Sequence, residues 1–235
     1  FYAGRLSTGG ENVIIGSQSV RGNNSSASNS VVIGRAAAYH LTSGSDNTII
    51  GHQAGYYVST GISNTLIGKS AGDAITTGSS NTALGQMALS SATTQTGNTA
   101  LGRAAMQLGT GSYNTAVGND ALENVTGSRN TAVGYAAGIA VTSGVDNVII
   151  GENTANNLTT GSYNVIIGRF AGEAATSMSY ATIIGRTAGR FHTSGAEPCY
   201  IGYDAGQQVT SGNYNTAIGT SAMTYGNGDD NTFVG

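Results

Sequence analysis

The residues of this chain that could do acid–base, metal or nucleotide chemistry are few and scattered. The three histidines lie beside or within predicted turns, and their spacing is not that of metal ligands: His40, His52 and His192. Residues 68–70 (Gly-Lys-Ser) match the end of a phosphate-binding loop, but position 63 is serine where that motif requires glycine. The sequence therefore predicts no metal, no cofactor and no nucleotide site.

Acidic residues are equally dispersed, at about one per repeat. Asp46 and Asp146 precede a repeated asparagine, as expected for turn residues, and the double-glycine nonapeptide that binds calcium is absent. A glycosidase would need clustered carboxylates, which this pattern does not provide. Cys199 is the single cysteine, so an internal disulfide is excluded, and we expect it to replace Thr or Val in a repeat. We predict that the chain is not an enzyme.

The composition restricts the partners. Only 9 % of the 235 residues are charged, the net charge is −3, and no basic stripe of the kind that attracts nucleic acid is present. No apolar run approaches the ~20 residues needed to cross a bilayer, so we expect no membrane insertion. Glycine is abundant, with 37 residues, and 39 % of the chain is hydrophobic, which favours a folded, turn-rich structure.

A five-residue unit is repeated along the whole chain. It has Asn at the first position, Thr or Val at the second, an apolar residue at the third, an aliphatic residue at the fourth and Gly at the fifth. Its fourteen closing glycines are 16 to 18 residues apart, at Gly16, Gly34, Gly51, Gly68, Gly85, Gly102, Gly118, Gly134, Gly151, Gly168, Gly185, Gly202, Gly219 and Gly235. So constant a period is typical of a solenoid. We predict an all-β protein, a parallel β-solenoid (β-roll) of about fourteen coils with a repeat of about 17 residues, forming one domain over 1–235.

The faces of these strands follow from the alternation of side chains. The fourth position is aliphatic in every copy, and the second is mostly Thr or Val, so we expect both to face the interior. The third position should then face outward, although it too is apolar. Because a monomer rarely leaves such a stripe uncovered, it predicts an interface between chains. The candidate interface residues are Ile14, Val32, Ile49, Leu66, Ala83, Ala100, Ala116, Ala132, Ile149, Ile166 and Ile183.

Two repeats carry a resemblance to known proteins. Residues 114–122 (Asn-Thr-Ala-Val-Gly-Asn-Asp-Ala-Leu) and 130–138 (Asn-Thr-Ala-Val-Gly-Tyr-Ala-Ala-Gly) resemble the YadA-like head repeats of trimeric autotransporter adhesins. They are more similar to repeats of phage tail-fibre and related surface proteins, which are often followed by an endosialidase-type intramolecular chaperone. The resemblance spans essentially the whole chain, and it implies a left-handed roll, a homotrimer and an extracellular location.

The resemblance leads to three functional hypotheses. The first is a structural shaft or head segment of a phage tail fibre, which spaces a host receptor-binding tip from the virion. The second is a bacterial surface adhesin of YadA-like architecture, which binds host or matrix ligands. The third is an ice-binding solenoid, against which the sequence argues because the Thr column alternates with Val and is expected to face inward. The chain begins without Met and ends on a repeat unit, which predicts a fragment of a longer fibre.

Some residues are candidates for ligand contacts. Four tyrosines that directly precede a repeat unit are candidate glycan contacts: Tyr113, Tyr163, Tyr180 and Tyr214. The main departures from the repeat are at 91–97 and 196–200, and both keep the aliphatic fourth position. Because the pattern is otherwise uniform, we predict a passive spacer, with host glycan or protein bound mainly by flanking domains.

Overall fold

The computed structural model describes residue 3, residues 8–21 and residues 25–235. The chain forms two compact units, unit 1 over Phe1–Asn114 and unit 2 over Thr115–Gly235. The described residues contain short β-strands joined by turns and bends, and no helix.

Every strand is three residues long and covers the second to fourth positions of a repeat unit. In unit 1 the strands are β1 Val13–Ile15, β2 Val31–Ile33, β3 Thr48–Ile50, β4 Thr65–Ile67, β5 Thr82–Leu84 and β6 Thr99–Leu101. In unit 2 they are β7 Thr115–Val117, β8 Thr131–Val133, β9 Val148–Ile150, β10 Val165–Ile167, β11 Thr182–Ile184, β12 Cys199–Ile201, β13 Thr216–Ile218 and β14 Thr232–Val234.

Within each unit, successive strands pair in parallel and in register. For example, Val165 lies opposite Val148 on one side and Thr182 on the other, and the remaining strand pairs within each unit have the same alignment. These fourteen strands delimit about thirteen complete coils, so the predicted parallel β-solenoid with a repeat of about 17 residues is confirmed. The left-handed sense of the coil stays a prediction.

The closing glycine is required by a close contact between coils. Gly51 has a φ of +140°, which L side chains rarely adopt, and a Cβ atom built there would lie 2.3 Å from the carbonyl oxygen of Gly68 in the next coil. This contact explains why glycine closes all fourteen repeat units.

The predicted faces of the strands are reversed in the structure. The third-position residues are fully buried inside the chain from β2 to β11, whereas the second and fourth positions are partly or largely exposed. The candidate interface residues Val32, Ile49, Leu66, Ala83, Ala100, Ala116, Ala132, Ile149, Ile166 and Ile183 are therefore core residues, and Ile14 is partly buried in β1. The reason is that side chains alternate along a strand, so the third position lies on the same face as the buried asparagine at the first position.

The first-position asparagines form a hydrogen-bonded ladder that connects coils. Asn64 donates from Nδ2 to the carbonyl oxygen of Gly78 at 2.9 Å and to Oδ1 of Asn47 at 3.1 Å. Its own Oδ1 accepts from the backbone N–H of Asn81 at 3.0 Å and from Nδ2 of Asn81 at 3.1 Å. Each asparagine thus ties the turn of one coil to the strands beside it and satisfies backbone groups that burial would otherwise leave unpaired.

Packing inside the coils depends on a complementary pair of columns, the third position and the residue four after the closing glycine. Where the third position is large, its partner is usually Gly: a Cβ atom at Gly72 would lie 2.7 Å from Cδ2 of Leu66, and one at Gly206 would lie 2.8 Å from Cγ of Tyr200. Where the third position is Ala, the partner is large in most coils, as in Ala83 with Leu89, Ala100 with Met106 and Ala116 with Leu122. Ala132 with Gly138 is the exception, and there the neighbouring coil fills the space, since a Cβ atom at Gly138 would lie 2.9 Å from Cδ1 of Ile149. The two columns therefore compensate for each other in volume in most coils.

Candidate functional site

The second and fourth positions of the strands form an uncharged apolar surface in each unit, which we call the outer face. Its second column holds Thr, Val and Cys199, and its fourth column holds only Ile, Leu and Val. Leu84 is 44 % exposed and Ile218 is 39 % exposed. Since exposed contiguous apolar patches are rare on soluble monomers, the outer face has the properties of a contact surface.

Cys199 lies at the second position of β12 and is half-buried. It lies opposite Thr182 and Thr216 in the neighbouring strands, so it occupies a position that other coils give to Thr or Val. The cysteine therefore belongs to the outer face as one of its small side chains.

The four candidate tyrosines lie on the turn before the strand, and all are at least half exposed: Tyr113, Tyr163, Tyr180 and Tyr214. The structure brings only Tyr163 and Tyr180 together, with ring centroids 5.1 Å apart and planes at 7°. Tyr214 is separated from this pair by the coil that carries Glu197 at the same position, and Tyr113 belongs to unit 1. Tyr163 and Tyr180 therefore form one exposed pair of rings, and the four candidate tyrosines do not form a single surface.

A second group of aromatic residues, which the sequence analysis missed, lies in unit 1. Tyr39, His40, Tyr56 and Tyr57 lie five and six residues after the closing glycines of two successive coils. Their rings are in mutual contact: Tyr39 stacks on Tyr56 at 5.0 Å, His40 stacks on Tyr57 at 5.2 Å, and Tyr56 meets Tyr57 edge-on at 4.8 Å. The sequence shows this group as two adjacent aromatic residues, Tyr39 and His40, followed one period of 17 residues later by Tyr56 and Tyr57.

Polar groups lie at both ends of this aromatic group. The guanidinium carbon of Arg21 is 5.9 Å from the Tyr39 ring centroid. On the other side, the backbone carbonyl of Asp73 accepts a hydrogen bond of 2.9 Å from the N–H of Tyr57, which places Asp73 in the next coil. Burial raises the pKa of the Asp73 carboxyl group, although hydrogen bonds from its own backbone, Ala74 and Ser70 oppose the shift.

One coil of unit 2 has polar side chains in its interior. His192 and Tyr200 are both fully buried, and Nδ1 of His192 lies 3.2 Å from the Tyr200 hydroxyl. Nε2 of His192 has no hydrogen-bond partner. Burial lowers the pKa of His192 to about 4, and burial raises the pKa of Tyr200. His192 is therefore a neutral core residue, contrary to its predicted place in an exposed turn.

The other two histidines, His40 and His52, lie on the surface of unit 1. His52 is within hydrogen-bonding distance of Arg35, with 3.1 Å between Nε2 and a guanidinium nitrogen. Among the described residues, no group of three His, Cys, Asp or Glu side chains is arranged to hold a metal ion.

Charged and aromatic side chains alternate on the bends of unit 2. Arg190 donates to Glu173 at 2.6 Å, and Arg169 lies 3.2 Å from Glu152. The Phe170 ring lies between the two guanidinium groups, at 4.6 Å from that of Arg169 and 5.1 Å from that of Arg190. On the turn, Arg129 binds Asp146 at 2.7 Å and lowers the pKa of that carboxyl group. Because these contacts satisfy the charges locally, they stabilise neighbouring coils without forming an open site.

Comparison with protein-family models, with curated proteins and with solved structures finds no match to this chain. In the described part of the chain, no helix has the length and apolar character needed to cross a membrane.

Proposed function

We propose that the chain is a structural shaft segment of an extracellular trimeric fibre, of the phage tail-fibre type, which spaces a host receptor-binding tip from the virion. The observation that carries this proposal is the uncharged outer face, which runs along successive strands of each unit. A second copy of the chain is its natural partner, because an identical apolar face matches it in length, spacing and absence of charge. A cyclic arrangement of copies covers such faces completely.

The size of the outer face is suitable for association. With strands about 4.8 Å apart and about 10 Å long, each strand offers about 50 Å² of flat surface. The eight strands of unit 2 then present roughly 400 Å² and the six of unit 1 roughly 300 Å², against about 800 Å² per partner in a standard stable interface. The face of either unit therefore supplies up to about half of the area per partner that a standard stable interface has.

Light scattering of the purified chain at micromolar concentration tests this proposal. We expect three times the monomer mass for the wild type and a lower mass for Ile150→Asp, which places a charge on the outer face. Ser162→Ala, on an adjacent turn, is the matched control and should keep the wild-type mass. A monomeric wild type would overturn the proposal. A dimer would preserve the role of the outer face and exclude threefold symmetry.

Ice binding is a second candidate, because the structure removes one of the two arguments against it. The Thr column lies on the outer face and not in the interior, and four successive strands of unit 1 align Thr48, Thr65, Thr82 and Thr99 in register. A flat array of hydroxyl and methyl groups at strand spacing is able to order water in a regular pattern. Thermal hysteresis measured on the wild type and on Thr65→Lys decides the matter, since activity that is absent from both proteins excludes this function.

A further inference from the structure

The aromatic group of unit 1 is a local departure from the repeat on the surface. Tyr39, His40, Tyr56 and Tyr57, which we call the aromatic platform, fill both bend positions of two successive coils. The next two coils place Asp73 with Ala74, and Ser90 with Ser91, at the same positions. The fold therefore does not require rings here, and a different role must explain them.

The platform is held in place by its own coils. The backbone N–H of His40 donates to the carbonyl oxygen of Tyr56 at 3.1 Å, and that of Tyr57 donates to Asp73 at 2.9 Å. The four rings contact one another at centroid distances between 4.8 and 5.2 Å. A ligand that binds such a preformed surface loses little affinity to ordering it.

The platform is open to solvent. Tyr57 is 52 % exposed and His40 is exposed, whereas Tyr39 and Tyr56 are half-buried beneath them. The structure gives the hydroxyl groups of the three tyrosines no hydrogen-bond partner among the described residues. Exposed aromatic rings with free polar tips are typical of recognition surfaces, where one part of the ring packs and the other part hydrogen-bonds.

The surroundings of the platform indicate what kind of ligand fits. The rings lie on turns, and the described strands that precede them, β2 and β3, are paired on both sides, so they offer no free edge to an extended peptide. Arg21 supplies a hydrogen-bond donor group at one end of the rings, and Asp73, which occupies in the next coil the position that Tyr56 has in its own, supplies a carboxylate at the other end. A saccharide combines an apolar C–H face with hydroxyl groups at its edge, and that combination matches the platform.

We propose that the aromatic platform binds a saccharide, whose C–H face packs on Tyr57 and His40 and whose hydroxyl groups hydrogen-bond to Asp73 and Arg21. This site adds lateral ligand binding to the shaft function, and it is distinct from the four tyrosines that precede the strands. It requires no other copy of the chain, so its test is independent of the oligomeric state.

The experiment is a glycan array probed with the full 235-residue chain, followed by calorimetric titration of cello-, chito- and alginate-hexaose together with any array hit. We expect saturable binding, a loss of affinity of at least tenfold in Tyr57→Ala, and a smaller loss in Asp73→Asn. Tyr163→Ala, which removes an equally exposed stacked ring from unit 2, is the matched control and should bind as the wild type does.

Circular dichroism and light scattering of the same variants separate this proposal from the shaft proposal. Tyr57→Ala should keep the wild-type fold and mass, because its ring lies outside both the core and the outer face. The proposal is overturned if no saccharide binds, if Tyr57→Ala binds with wild-type affinity, or if Tyr163→Ala loses affinity to the same extent. Should Tyr57→Ala fail to fold, Tyr57→Leu keeps a side chain of similar bulk, and wild-type affinity in that variant would likewise count against the proposal.

Discussion

The first-position ladder keeps a side-chain oxygen acceptor through unit 1, where Ser30 replaces asparagine and its hydroxyl accepts the N–H of Asn47, and it loses that acceptor in unit 2. In unit 1, Asn47, Asn64, Asn81, Asn98 and Asn114 occupy the first position of five successive repeat units, and each Oδ1 from Asn47 to Asn98 accepts the next backbone N–H. In unit 2, Ala181 and Pro198 replace asparagine at two successive positions. The two substitutions are linked. Pro198 has no backbone N–H to donate to the preceding coil, so an asparagine at position 181 would have a side-chain oxygen with no donor, and Ala181 has no such oxygen.

The interruption coincides with the polar interior of unit 2. His192 precedes Pro198 by six residues and Tyr200 follows it by two, and the two buried side chains contact each other at 3.2 Å. Unit 1 instead keeps an aliphatic interior at these positions, as with Leu66 and Ile75, and places its own rings on the surface. The charges differ as well, with a formal net charge of +2 in unit 1 and −5 in unit 2. The same repeat thus accommodates atypical side chains either in the interior of a coil, as in unit 2, or on its surface, as in unit 1. Only those on the surface are accessible to a ligand.

The largest expected effect tests whether the third position is interior in both units. Leu66→Asp and Ile166→Asp should each destabilise the chain by about 4 kcal/mol or more, because each buries an unpaired charge. Ile150→Asp, on the outer face, should cost less, and its cost should fall on dilution because it weakens association. Thermal unfolding followed by circular dichroism at two protein concentrations measures both quantities. Equal, concentration-independent losses for Ile150→Asp and Ile166→Asp would contradict the observed faces.

The sequence predicted the strands and the period but not the faces, for a physical reason. Glycine closes each strand at a backbone geometry that other residues avoid, so the column is visible at Gly51, Gly68 and every later copy. The third and fourth positions are both apolar, so their hydrophobicity alone does not distinguish inside from outside. Asparagine at the first position carries that information, because its amide satisfies buried backbone groups and the third position shares its face.

The candidate ligand contacts were predicted only in part. The exposure of Tyr163 and Tyr180 was predictable from their place before the strand, but their stacking on one another depends on the register between coils. The aromatic platform was visible as two adjacent rings repeated after 17 residues. Its contact geometry was not, because centroid distances depend on side-chain torsions that the repeat does not determine.

A smaller effect compares one asparagine in each unit. Asn64→Ala should destabilise the chain by about 3 kcal/mol, because it removes the donor to Gly78 and leaves two donors of Asn81 without their acceptor. Asn164→Ala should cost about 1 kcal/mol less, since its Oδ1 accepts only the N–H of Ala181 from the following coil. Chemical denaturation of both variants measures the difference. A larger loss at Asn164 would show that the interrupted ladder of unit 2 is not the weaker one.

The smallest effect is a dependence of stability on pH that arises in unit 2. The pKa of His192 is about 4 in the folded chain and 6.5 for the unperturbed group, so the unfolded chain binds more protons between these values. Stability is therefore complete above pH 6.5 and falls as the pH decreases towards 4, by about 2 kcal/mol at pH 5. Denaturant unfolding at pH 7.5, 6 and 5 measures this loss.

Two variants assign the pH dependence to the buried pair and not to the surface. His192→Val combined with Tyr200→Ile restores the aliphatic residues that unit 1 uses, leaves no hydroxyl without a partner, and should abolish the loss between pH 7.5 and pH 5. His40→Gln, on the surface of unit 1, should retain it, because that change leaves the buried His192–Tyr200 pair as it is. If the double variant loses as much stability at pH 5 as the wild type does, His192 is not the group responsible, and the acid sensitivity of the chain lies outside the interior of unit 2.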